Sequence, residues 1–133
     1  IYFGKQAVFA VPVFILIEGS IYGFGLWWIM YLYAWPLLVL ATMLLKKFDH
    51  MLVWSVLSGA FGLLFGLFCS IPYIVIGAGS GGLESGLRMA FTWWLTGILF
   101  DLIHGVANFI IMLALYVPVS TVMKRAKARF YLQ

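Results

Sequence analysis

The sequence predicts an all-α fold, a polytopic membrane helical bundle of four spanning helices plus one interfacial or re-entrant helix, forming a single membrane domain over residues 1–133. Three observations predict it. Hydrophobic residues make up 65% of the chain and charged residues 9%, too few charges to keep a surface of this size in water. Several stretches approach or exceed the roughly 20 apolar residues that a spanning helix needs. The basic residues behind the net charge of +4 sit in short clusters at the ends of apolar runs, the pattern of membrane orientation rather than of nucleic-acid binding. The chain opens at Ile1 with no basic region and cleavage site of a signal peptide, which points to a missing N-terminal portion.

The elements follow in order. After Lys5 and Gln6 an apolar run predicts a first span over about residues 6–20, interrupted by Glu18 and Gly19. An aromatic band of Tyr22, Phe24, Trp27, Trp28, Tyr31, Tyr33 and Trp35 marks a water interface, where amphipathic rings meet headgroups. A second span over about 28–45 contains Pro36, tolerable where a neighbouring helix satisfies the freed carbonyl, and stops at the polar loop Lys46-Lys47-Phe48-Asp49-His50. The third, about 51–76, contains Pro72 and ends in a glycine-rich linker over 77–82. Residues 84–99 have too short an apolar part to cross and are expected to lie in the interface. A final span over about 100–123 ends in Lys124, Arg125, Lys127 and Arg129.

Placing that basic tail in the cytoplasm puts Asp101 and the 77–99 segment outside, Lys46 and Lys47 inside, the aromatic band outside and Lys5 inside. The basic clusters agree only if 84–99 does not cross.

Asp101, His104 and Asn108, three and four apart, project from one helical face, with Asn108 about 10 Å below Asp101. Polar groups at such depth are costly unless they face a cavity or a partner, so they are candidates for a binding pocket, as is Glu18. The plainer alternatives are that Asp101 caps a helix N-terminus and that His104 and Asn108 bond neighbouring helices. Ser55, Gly59, Gly62, Gly66 and Cys69 trace a stripe of small residues on the third span, suited to close packing within the chain or to docking a separate membrane protein.

Other chemistries are poorly served. His50 and His104 fall at opposite ends of the membrane, Cys69 is the only cysteine, and no metal site or cofactor is expected. No phosphate-binding GxxxxGK[ST] loop occurs, and no nucleophile stands beside Asp101 and His104, so the chain is not expected to be an enzyme.

The closing stretch WWLTGILFDLIHGVANFIIMLALYVPVSTVMKR resembles the last helix of the substrate-binding subunits of energy-coupling factor vitamin transporters, matching at Gly97, Phe100, Asp101, His104, Asn108 and Pro118. Leu99 stands where that family often has proline. The stretches LSGAFGLLFGLFCSIPYIVIG and EGSIYGFGLWWIMYLYAW are similar to segments of an uncharacterised branch of it.

The resemblance implies six spans in the complete protein, in the plasma membrane of a prokaryote with a cytoplasmic C-terminus. It implies capture of a vitamin or vitamin precursor from outside, with cobalamin slightly ahead of a pyrimidine, a pterin or a flavin. Partners would be a transmembrane coupling protein and two ATP-binding cassette ATPases, which hydrolyse the ATP. By position, the pocket would be built by Asp101, His104 and Asn108, with Glu18, Trp27, Trp28 and Tyr31 from the outer loop, and the glycine-rich linker would close over it. The small-residue stripe Ser55, Gly59, Gly62 and Gly66 would dock the partner. The competing readings are an accessory membrane subunit with no ligand, and a membrane-embedded enzyme using Asp101 and His104.

Overall fold

The computed structural model describes Tyr2 and residues 8–131, with side chains through 129. Lys5, expected at the inner end of the first span, lies outside the described residues. The regular structure among them is helical: α1 covers Ala10–Tyr22, α2 covers Leu26–Leu45, and the helical segment Met51–Tyr131 is folded into a hairpin. Only Gly81 and Gly82 depart from helical geometry there, giving arms α3 (51–80) and α4 (83–131). Leu26–Leu45 and Met51–Arg129 are long and apolar enough to cross a membrane, whereas α1, at 13 residues, is shorter.

The turns are built from their sequence. Gly23, at φ 86°, supplies the left-handed residue that ends α1 and donates its N–H to the Gly19 carbonyl at 2.9 Å. The α2–α3 turn is tied by the Trp54 indole N–H, which donates to the Phe48 carbonyl at 2.8 Å. His50 caps α3, its Nδ1 accepting from the Leu52 N–H at 3.2 Å. Pro72 deprives the Phe68 carbonyl of its helical donor, and the Tyr33 hydroxyl of α2 donates to that oxygen at 2.6 Å. This supplies for Pro72 the repair by a neighbouring helix that an interior proline requires.

Two expectations are corrected. The linker over 77–82 shrinks to two residues, because the chain stays helical through Ser80. Residues 84–99 are not a separate interfacial helix: nothing between Gly82 and Pro118 forces a break, and α4 runs through position 99 without interruption. The helix expected over 84–99 is present, but it continues directly into the final span. Its pairing with α3 is tight, since a Cβ on Gly77 would stand 2.8 Å from the Gly86 Cα.

From the level of Phe68, the hairpin tip lies about 20 Å further along α3, while α2 begins only about 10 Å further at Leu26. The tip therefore overhangs α2. At the opposite end Lys124 Nζ meets Asp49 Oδ2 at 3.0 Å, so the basic clusters at 46–47 and 124–129 share one end of the bundle.

Candidate functional site

Apart from Phe24, which lies in the turn between α1 and α2, the aromatic band is helical rather than a loop. Glu18 is half-buried on α1, and Trp27, Trp28 and Tyr31 occupy the first two turns of α2. Trp27, Tyr31 and Trp35, four apart on one face, meet edge to face with centroids 5.3 and 5.5 Å apart. Phe14 of α1 stacks on Tyr31 at 6.3 Å. Across the interface Tyr31 reaches Phe65 of α3 at 6.4 Å, and Phe65 takes the exposed His104 ring of α4 edge-on at 5.3 Å. A row of rings from Phe14 to His104 thus links all four helices and ends in an imidazole.

The remaining candidates do not join this row. Trp28 turns toward α1, donating its indole N–H to the Ile15 carbonyl at 2.9 Å and lining an apolar cavity of about 500 Å³ between α1 and α2. Asp101 lies inside the α3–α4 seam, 7% exposed, with Oδ1 accepting from the Gly66 N–H at 2.9 Å and Oδ2 buried without a partner. Because α4 is continuous, Asp101 is mid-helix and caps nothing. A Cβ on Gly66 would fall 2.5 Å from Oδ1, so the absence of a side chain there makes room for the carboxylate. Asn108 also turns inward, toward Gly62, and lines a different cavity nearer the basic end.

The small-residue stripe is covered from within. Gly59 faces Phe109 and the Gly105 carbonyl, Gly62 faces Gly105 and Asn108, Gly66 faces Asp101, and Ser55 is fully buried. It is an internal seam, and α4 already occupies the face that a separate protein would have used. Phe14, Trp35 and Phe65 were missed as site residues, although the four-residue spacing of Trp27, Tyr31 and Trp35, and of Phe61 and Phe65, carried the signal.

At the basic end Asp49 accepts hydrogen bonds from the Tyr116 hydroxyl and from Lys124 at 3.0 Å. The Tyr116 bond first, then Lys124, holds the Asp49 carboxyl below its ordinary value of 3.8. A depressed acid contributes stability that is complete above its unfolded value and lost as pH falls through the folded one. Acidification from about pH 5 to about pH 2 is expected to release this tie, read as faster amide exchange over 46–50 relative to an Asp49→Asn variant already released at both ends.

Among the described residues no cluster of His, Cys, Asp or Glu could hold a metal ion. Compared with protein-family models, curated proteins and solved structures, the chain matches none.

Proposed function

We propose that this chain is the substrate-capturing subunit of an energy-coupling factor type importer, set in a prokaryotic plasma membrane with its basic C-terminal tail in the cytoplasm. It takes a planar vitamin or vitamin precursor from outside and passes it on through a coupling protein and two partner ATPases. The observation that carries the reading is the row Phe14, Tyr31, Phe65 and His104, contributed by all four helices, with Trp27 edge-on to Tyr31. Ring faces stack on a planar ligand while a few polar ends fix its orientation, the common design of small-molecule sites.

The membrane setting is supported by the surface. Phe100 (76% exposed), Val75 (74%) and Ile103 (67%) are three of many large apolar side chains exposed around the bundle, far more than a water-soluble monomer presents. A second reading, an accessory subunit with no ligand, is favoured by one observation: Asp101 and Asn108 spend their polar groups in the helix seam.

The test is mass spectrometry of small molecules released from the purified chain, followed by titration with what is found. One vitamin per chain is expected, with Tyr31→Leu and His104→Leu each weakening binding about tenfold, while Trp28→Leu changes it little. A folded chain that carries nothing and binds no vitamin from a broad panel replaces this reading with the accessory one.

A further inference from the structure

The cavity that Asn108 lines lies between α3 and α4 toward the basic end, with a volume of about 300 Å³. Trp54 and Ser58 of α3 form one wall, and α4 forms the other from Asn108 to Ser120, a length of about 18 Å at the helical rise. That is close to one leaflet's share, about 15 Å, of the hydrocarbon thickness. Its open side is apolar: Ile111, Leu115 and Val119 are each about half exposed.

The rim at the basic end is polar and built. Tyr116 donates to Asp49, Asp49 pairs with Lys124, and Lys124 Nζ stands 5.7 Å over the ring of Tyr2, which also lines the cavity. Beyond this rim the chain adds Lys46 and Lys47 just before Asp49, and Arg125, Lys127 and Arg129 just after Lys124. An apolar slot one leaflet deep, opening sideways and ending under a strongly positive rim, matches an amphiphile with an apolar tail and an anionic head.

The geometry points to an anionic phospholipid of the cytoplasmic leaflet as the occupant, one acyl chain lying in the α3–α4 slot and its phosphate among the basic residues at the end of α4. This rests on the membrane part of the proposed function and not on the import of a vitamin.

The test places the purified chain in nanodiscs of equal dioleoyl phosphatidylglycerol and dioleoyl phosphatidylcholine, re-extracts it and counts retained lipids by native mass spectrometry. One phosphatidylglycerol per chain is expected, preferred about tenfold over phosphatidylcholine. The triple variant Arg125→Gln, Lys127→Gln, Arg129→Gln, which leaves the Lys124–Asp49 pair intact, is expected to bring the preference close to parity. Ser58→Phe fills the slot from α3 and is expected to remove the retained lipid; Val119→Phe does so from α4 and serves if the first variant misfolds.

Retention of both lipids equally, or of neither by the folded chain, overturns the proposal. So does displacement of the lipid by millimolar sn-glycerol 3-phosphate, which would mark a site for a soluble anion. Extraction of the chain from native membranes by alkaline carbonate would instead overturn the membrane reading, and an empty vitamin panel the import reading, each separately from lipid selectivity.

Discussion

Replacing Gly62 with leucine is expected to prevent the α3–α4 hairpin from closing. The first added carbon alone would stand 2.9 Å from the Gly105 Cα and from the His104 carbonyl oxygen, both backbone atoms that cannot rotate aside. Overpacking of an interior typically costs about 1–3 kcal/mol when side chains can yield, so a branched side chain against backbone is expected to cost about 3 kcal/mol or more. Thermal unfolding in detergent measures it. The control is Gly97, where an added Cβ meets nothing within 4 Å. Gly97→Ala is expected to be neutral or to stabilise by up to about 1 kcal/mol through helix propensity. Equal melting of the two variants would remove the seam as the basis of the fold.

Gly82→Ala is the second large effect. Gly82 has φ 76° and ψ −178°, a backbone region that side-chain-bearing residues scarcely enter. It is one of only two residues that reverse the chain, and a Cβ there would meet no neighbouring atom, so the penalty is purely conformational. A cost of about 1–3 kcal/mol is expected, borne by the turn. The competing state is a single unbroken helix, so the variant should increase the distance between spin labels at positions 75 and 88, while Gly79→Ala, in open space within the helix, should leave it unchanged.

Composition and the length of the apolar runs made the all-helical fold legible, and glycines marked two of its turns, at 23–25 and 81–82. The polar stop at 46–50 was readable from its charges, and the structure adds that His50 caps the helix that follows. The continuity of α4 was not readable, because the sequence of 84–99 is too polar for a lipid-facing span while being ordinary for a helix. Periodicity reports which residues share a face but not what that face meets. The spacing of Ser55, Gly59, Gly62 and Gly66 was therefore read correctly as a close-packing stripe, while its occupant, α4, emerged only in three dimensions. The spacing of Asp101, His104 and Asn108 was likewise right about the helix, yet Asp101 and Asn108 enter the seam and His104 stands outside it. Neighbours on one stripe, about 40–60° apart around the helix, can fall on either side of a contact line. The link from Tyr31 to His104 runs through Phe65, a residue whose chemistry gives no polar signal at all.

One helix carries His104 and, about 30 Å along it, Lys124, with no break between them. Over its full length of about 73 Å, α4 is a lever arm: a tilt of about 10° around its middle would carry each end some 6 Å in opposite directions. A force applied near the hairpin tip would therefore also shift the angle at which the basic tail meets whatever lies beneath it. Displacement at one end would be readable at the other without any residue between them changing conformation.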